Sequence, residues 1–172
     1  MNKIFKFLII VTILINGFST LSLSEEQKIG DGHEYNFFTG MFDFSDDGKK
    51  SQIIGIQHLN ENLFRNSFLG TIKPVTGFMM TADSASYLYT GVQAEYDIGK
   101  INITPSFTPG IYNEGDGKDL GHLVEFKSEI QLSLDLSQNS ELGFSYNHLS
   151  NASLGEKNPG ANSYMFNFMK SF

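Results

Sequence analysis

The chain has 172 residues, of which 19 are acidic and 12 basic, and its formal net charge is −7. This acidic balance argues against nucleic acid as a partner, because binding to phosphates requires a basic surface. The absence of cysteine excludes disulfide bonds, a thiol nucleophile and a cysteine-based zinc site.

The N-terminal segment has the layout of a cleaved secretory signal peptide. Two lysines form a short basic region, and the apolar run that follows, residues 7–15, is too short for a spanning helix. Residues 22–24, Ser-Leu-Ser, supply the small residues that precede a cleavage site. The sequence therefore predicts residues 1–24 as a signal peptide and residues 25–172 as a single exported domain.

The remainder of the chain alternates between apolar and polar side chains. In residues 124–136 the even positions are mostly apolar and the odd positions are mostly charged or polar. Successive side chains of a strand point to opposite faces, so such a segment has one apolar and one polar face. The pattern predicts strands at residues 38–44, 54–56, 72–80, 87–98, 101–111, 124–136, 142–146 and 164–172. In the third strand, Pro74 and Gly77 predict a bulge or kink.

Strands of about ten residues match the span of a tilted transmembrane strand. An open sheet edge would leave backbone groups unpaired in lipid, so a membrane sheet must close into a barrel. An apolar outer face and a polar inner face are typical of outer-membrane barrels. The sequence therefore predicts an all-β fold, an eight-stranded antiparallel transmembrane β-barrel in the bacterial outer membrane. A soluble periplasmic β-sandwich is the alternative.

The connections agree with this topology. Short periplasmic turns are expected at residues 97–100 and 137–140, and longer external loops at residues 46–50, 113–121 and 150–161. Residues 60–67 would form a periplasmic turn that is longer than usual.

Side-chain parity places a polar pair on the lipid face. His148 and Ser150 have the parity of Phe144 and Tyr146, and Asn162 has the parity of the aromatic residues that follow it. All three lie at the external end of their strands, at the height of the outer leaflet. A histidine and a serine are a possible base and nucleophile, but a pair at this spacing is common, and spacing alone favours ordinary interfacial residues. Below them, an apolar groove is expected between Phe144, Tyr146, Phe166 and Phe168.

At these residues the sequence resembles the lipid A 3-O-deacylase family, known as PagL. The resemblance is carried by the segments His148-Leu149-Ser150-Asn151-Ala152 and Asn158-Pro159-Gly160 and by the final aromatic strand. It implies an ester hydrolase that removes the 3-O-linked acyl chain of lipid A, the membrane anchor of lipopolysaccharide, without a metal or cofactor.

The resemblance also implies roles for individual residues. Ser150 would be the nucleophile and His148 the general base. Asn151, with backbone N–H groups as far as Ser153, would contribute to the oxyanion site, and Phe126 would form an aromatic wall.

One position departs from the family, whose better-known members carry a glutamate where this chain has Asn162. An asparagine can accept a hydrogen bond from the imidazole, but it cannot stabilise an imidazolium with a full charge. Glu156, in the same loop, is the alternative source of a carboxylate, or else an ordinary solvated loop charge.

Two other functions remain open from the sequence. One is a non-enzymatic small barrel with a role in adhesion or envelope structure, and the other is an esterase that acts on a different lipid, such as a phospholipid. The sequence does not predict the acyl length or the oligomeric state.

Overall fold

The computed structural model describes residues 32–46, 49–67 and 70–172, so the predicted signal peptide lies outside the described residues. The strands are β1 (His33–Phe42), β2 (Ser51–Asn60), β3 (Arg65–Ser67), β4 (Gly70–Thr81), β5 (Ser86–Ile98), β6 (Ile101–Asn113), β7 (Val124–Ser137), β8 (Ser140–Ser150) and β9 (Ala161–Ser171). In the described part of the chain, no helix is long and apolar enough to cross a membrane.

The strands form a closed antiparallel ring. Strands β4 to β9 pair consecutively, β1 pairs with both β9 and β2, and β2 pairs with β4, which completes the circle. The short β3 pairs with the first residues of β4 and so continues the position of β2. The predicted eight-stranded antiparallel barrel is confirmed.

The expected long turn at residues 60–67 is wrong. β2 stops at Asn60, but β3 resumes pairing with β4 at Arg65, so Arg65–Ser67 belong to the wall and only residues 61–64 lie outside the ladder. The bulge or kink predicted at Pro74 and Gly77 is not found in β4, which pairs with β5 in continuous register. The irregularity lies in the neighbouring strand, between β2 and β3. The break between β2 and β3 lies opposite Pro74, which has no N–H to donate to the ladder.

The outer wall is apolar along most strands. On β7, for example, Ile130, Leu132 and Leu134 are 42%, 49% and 52% exposed, as the alternation predicts. On β1 the expected face is wrong, since Phe38 and Phe42 are buried and Phe37 points outwards. The lumen accepts these rings because Phe38 lies over Gly55, which has no side chain to oppose it.

The lumen is filled with side chains. Tyr87, Tyr89 and Lys127 are among its largest fully buried residues. The Lys127 ammonium lies 4.2 Å from the Tyr89 ring centroid and 3.4 Å from the Glu129 carboxylate. A buried ammonium needs such partners, because an isolated charge in a low-dielectric interior is costly. A bulky lipid therefore cannot enter the barrel.

Arginine substitutions at two positions of β7 test which surface meets lipid. Leu132 is near the middle of the strand and Leu136 near its periplasmic end, and both are exposed, at 49% and 58%. We expect Leu132→Arg to lower the free energy of unfolding by about 2–4 kcal/mol, and Leu136→Arg by about 0–1 kcal/mol. Denaturant titration of protein refolded into lipid vesicles measures both. Equal losses at the two positions would contradict a membrane-spanning wall.

Candidate active site

The register of β8 and β9 brings His148 and Asn162 together on the outer wall. The two residues lie directly opposite each other in the ladder, although fourteen positions separate them in sequence. The Asn162 side-chain oxygen is 2.8 Å from His148 Nδ1, and it also accepts a hydrogen bond from the Tyr146 hydroxyl at 2.8 Å. Because an amide oxygen only accepts, His148 Nδ1 must carry the proton. In that tautomer, Nε2 is the ring nitrogen that carries the lone pair.

Ser150 is the last residue of β8 and lies on the same face as His148. Residues that are two positions apart in a strand have Cα atoms about 7 Å apart. No hydrogen bond joins the Ser150 hydroxyl to the His148 ring within the described residues. Hydrogen bonds of a catalytic pair are often formed only once substrate is bound.

The chain reverses immediately after Ser150. The Leu154 N–H donates to the Asn151 carbonyl at 3.0 Å, and the two central residues, Ala152 and Ser153, have φ angles of 52° and 61°. Positive φ at both central positions is the mark of a type I′ turn, which favours glycine and asparagine. Alanine and serine in this conformation cost about 1–2 kcal/mol each. This strained turn follows directly after Ser150.

Asn151 is fully buried and fastens two external loops. Its side-chain nitrogen donates to the carbonyl oxygens of Leu120 and Lys157, each at 2.8 Å, and its backbone N–H donates to Asn158 Oδ1 at 3.0 Å. Both amide hydrogens are therefore engaged. In this geometry the Asn151 side chain holds the two loops together, and its part in an oxyanion site stays a prediction.

An ion pair connects the same two loops at the surface. Lys157 Nζ and Asp119 Oδ2 are 2.5 Å apart. The hydrogen bond from Lys157, followed by one from the Gly121 backbone, lowers the pKa of Asp119, and the same carboxylate raises the pKa of Lys157. Both side chains are solvent-exposed, so the pair adds little to stability.

Gly160 defines the space for the imidazole. Its φ angle is +63°, and a Cβ atom at this position would lie 2.8 Å from His148 Cε1 and 3.2 Å from Nε2. The ring is thus held between the Asn162 oxygen and the bare backbone of Gly160. The role of this glycine depends on contacts between the loop and β8, which the sequence pattern does not reveal.

The other predicted site residues are distributed around this centre. Phe126 is the direct cross-strand neighbour of Ser150 on β7 and stacks on Phe107, with ring centroids 5.9 Å apart. Ser153 and Glu156 are exposed, and Glu156 forms no ion pair with any described residue. It is Asn162, rather than Glu156, that contacts His148.

A further set of contacts was missed by the sequence reasoning. Asp43 and Ser45, which follow β1, both bind Asn162: its backbone N–H donates to Asp43 Oδ1 at 3.2 Å, and its side-chain nitrogen donates to Ser45 Oγ at 3.0 Å. Asp43 also pairs with Lys118 from the loop between β6 and β7. No local signal marked these residues, because the loop after β1 reads as ordinary polar sequence.

The apolar surface below the polar residues differs from the expected groove. Phe144, Tyr164 and Phe166 are in mutual ring contact, with centroids 5.4 to 6.3 Å apart. Of the four residues expected to line a groove, Phe166 and Phe168 do so and Phe144 and Tyr146 do not. An open groove of about 650 Å³ lies beside them, over β1. Its floor includes Thr39, which is flanked in the ladder by Phe166 on one side and Ile54 on the other. A small residue between two large ones creates the depression.

No group of three or more metal-ligating side chains is found among the described residues. His33 and His58 do meet, with Nδ1 and Nε2 2.9 Å apart, but they lie near the opposite end of the barrel from Ser150.

The comparisons with known proteins point to one family. A family model described as Lipid A 3-O-deacylase (PagL) matches residues 57–171. The crystal structure of the outer-membrane enzyme PagL is similar with a TM-score of 0.62 and 16% identity, over 81% of this chain and 99% of that chain.

Two other solved barrels are also similar. A de novo designed transmembrane β-barrel has a TM-score of 0.56 and 12% identity, over 86% of this chain and 100% of that one. Neisserial surface protein A has a TM-score of 0.52 and 9% identity, over 83% and 99%. At these identities the structural likeness concerns the fold. No curated protein sequence matches the chain.

Substitution of Gly160 tests the packing of the imidazole. Gly160→Ala and Gly99→Ala introduce a side chain at similar φ angles, +63° and +70°, but a Cβ atom at Gly99 meets nothing within 4 Å. We expect each to lose about 1 kcal/mol of stability from backbone strain. Only Gly160→Ala should move the NMR signals of the His148 ring and break its bond to Asn162. Unchanged ring signals in Gly160→Ala would contradict this packing.

Proposed function

The chain belongs to the lipid A 3-O-deacylase (PagL) family, and we propose that it hydrolyses the 3-O-linked acyl ester of lipid A. It is a protein of the bacterial outer membrane. The observation that carries the proposal is the hydrogen bond between His148 and Asn162, beside Ser150, on the wall that faces the membrane. A base and a nucleophile at this place are accessible to membrane lipids and not to soluble periplasmic molecules.

The location of His148 and Ser150 determines from which side the substrate approaches. The filled lumen excludes a lipid, whereas the outer wall is in direct contact with the membrane. The external ends of β8 and β9 lie at the outer leaflet, where lipid A resides. The substrate therefore reaches Ser150 by lateral diffusion, with its ester near the interface and its acyl chains along the wall.

The first half of the reaction forms an acyl-enzyme. Ser150 Oγ attacks the ester carbonyl carbon while His148 Nε2 takes its proton. The Ala152 N–H, in the turn after Ser150, stabilises the oxyanion, and one such donor is typically worth about 3 kcal/mol. When the tetrahedral intermediate collapses, the bond to the sugar oxygen breaks, and His148 returns the proton to that oxygen.

The second half regenerates the enzyme. A water molecule gives a proton to His148 and attacks the acyl carbon, and the fatty acid leaves as the proton returns to Ser150 Oγ. Throughout, Asn162 keeps the proton on Nδ1 and holds the plane of the ring. Phe126, opposite Ser150, forms an apolar wall for the part of the acyl chain nearest the ester.

The groove over β1 provides a place for an acyl chain. Neighbouring strands lie about 4.8 Å apart, so β1 is about 10 Å from Ser150 on β8, across β9. A lipid with several chains can therefore lay one chain in the groove while its ester occupies the catalytic pair. Lipid tails are as apolar as the protein wall, so this groove selects by shape and van der Waals packing.

Removal of the nucleophile or the base tests the function. We expect Ser150→Ala and His148→Ala each to lower deacylation by about 10⁴-fold or more, because neither group has a substitute at the site. Ser140→Ala, at the other end of β8, is the matched control and should be fully active. Mass spectrometry of lipid A from expressing cells measures the loss of one acyl chain. Intact lipid A at good expression of the wild type would refute lipid A deacylation.

An assay with the purified barrel tests whether it hydrolyses lipid A in preference to other esters. Vesicles that contain lipid A and phospholipid in equal amounts should yield only the 3-O-linked acid of lipid A. Release of phospholipid fatty acids at a similar rate would show instead a general lipid esterase.

The groove has its own test at Thr39. Thr39→Phe fills the depression, whereas Thr39→Val removes the hydroxyl that donates to the Ile53 carbonyl but leaves the space open. We expect Thr39→Phe to raise KM for lipid A by about 3- to 10-fold, equivalent to about 1 kcal/mol, with Thr39→Val near wild type. Vesicle assays at several lipid A densities measure KM. A Thr39→Phe enzyme with normal KM would mean that no chain occupies the groove.

A further inference from the structure

The loop after β1 encloses Asn162 with three consecutive residues. Asp43 accepts from its backbone N–H at 3.2 Å, the Phe44 N–H donates to its carbonyl at 2.9 Å, and Ser45 accepts from its side-chain nitrogen at 3.0 Å. Both backbone groups and the side-chain nitrogen of Asn162 are therefore bound by one loop. The side-chain oxygen is left to accept from His148 and Tyr146.

Asp43 brings a carboxylate to this assembly. It is 1% exposed, its Oδ2 pairs with Lys118 Nζ, and Ser45 Oγ lies 3.5 Å from its Oδ1. It also adopts a φ angle of 48°, a region that aspartate and asparagine tolerate better than most residues. A buried, strained acid with an ion-pair partner is held in place firmly, and its Oδ1 is directed at Asn162.

We propose that Asp43 is a positioning residue of the catalytic site and supplies, through Asn162, the negative charge that the neutral asparagine lacks. The inference rests on the proposed function. When His148 takes the proton of Ser150 it becomes a cation, and a carboxylate one residue removed favours that cation. Lys118 offsets part of the charge, so the effect is smaller than that of a direct carboxylate partner.

The proposal is specific because Asp43 is the acid hydrogen-bonded to the partner of the imidazole. The other titratable groups at this end of the barrel reach His148 by different routes. Tyr146 shares the Asn162 oxygen, and Asp46 reaches the site only through Lys118, 3.3 Å away. The remaining groups lie on the strands, namely Tyr112, Glu125 and Tyr164, and in the external loops, namely Lys49, Lys50, Asp83, Glu114, Asp116, Asp119, His122, Glu156 and Lys157.

Asp43→Asn removes the charge, and with it the ion pair to Lys118, but keeps the shape of the side chain. Asparagine has the same shape, tolerates the same φ angle and can still accept from the Asn162 N–H. Asp119→Asn is the matched control, because it makes the same change in net charge on a neighbouring loop, where its carboxylate binds Lys157 rather than Asn162.

NMR titration of the His148 ring, in the folded full-length barrel in detergent micelles, tests the charge directly. We expect Asp43→Asn to lower the pH at which the ring signals change by about 0.5–1 unit, and Asp119→Asn to leave it within about 0.2 unit. Equal displacement in the two variants, or none in Asp43→Asn, would overturn the proposal. The measurement does not require activity, so failure of the proposed function would be seen separately as an inactive wild type.

Hydrolysis of lipid A by the same proteins provides the kinetic readout. We expect Asp43→Asn to lower kcat by about 3- to 10-fold without a change in KM, with the acid limb of the pH–rate profile moved to lower pH. Asn162→Asp, added to Asp43→Asn, should restore kcat by placing the charge directly on the imidazole. A change in KM without a change in kcat, or no recovery of kcat in the double variant, would indicate that Asp43 has a structural role only.

Ser45→Ala keeps the proposal testable if Asp43→Asn does not fold. This variant retains the Asp43 charge but removes the oxygen that Asn162 donates to. We expect the His148 ring signals to move as the asparagine loosens. Unchanged signals in Ser45→Ala would show that the loop does not position Asn162, and would overturn that part of the inference.

Discussion

The rest of the structure depends on the need to satisfy every backbone N–H and C=O in a medium without water. Each unpaired group in lipid costs several kcal/mol, and β1 meets this demand by pairing with both β2 and β9. Once the ring is closed, the two-residue period of a strand becomes a division between membrane and lumen. A side chain with the parity of His148 then has to face the membrane. The position of the site on the outer wall is thus a consequence of barrel closure.

The hydrogen-bond register of the sheet positions the side chains of this site, as core packing positions those of a soluble enzyme. His148 and Asn162 are held opposite each other by the β8–β9 ladder, so their distance is determined by backbone hydrogen bonds rather than by flexible loops. Ser150 stands where the ladder ends and a strained turn begins. His148 is therefore held by the ladder, whereas Ser150, the proposed nucleophile, adjoins a turn that lies outside it.

Strand period explains which features could be predicted from the sequence. The eight-stranded ring and the outward direction of His148, Ser150 and Asn162 follow from alternation, which is a local property. The face of β1 could not be predicted, because it depends on Gly55 across the ladder. The break between β2 and β3 likewise depends on Pro74 of another strand. Asn151 has the type of side chain that an oxyanion site uses, but only tertiary contacts show its amide hydrogens bound to loop carbonyls.

The identity of residue 162 has to be considered together with that of Asp43. The backbone N–H of residue 162 is bound by the Asp43 carboxylate, so an acidic side chain at 162 would bring a second negative charge close to the first. Like charges at such a distance oppose ionisation, and the repulsion would weaken the grip of the loop on β9. Asparagine avoids this conflict, because its oxygen still orients the imidazole and its nitrogen binds Ser45. A neutral residue at 162 is therefore consistent with a site whose charge lies one residue further from the histidine, where it is paired with Lys118.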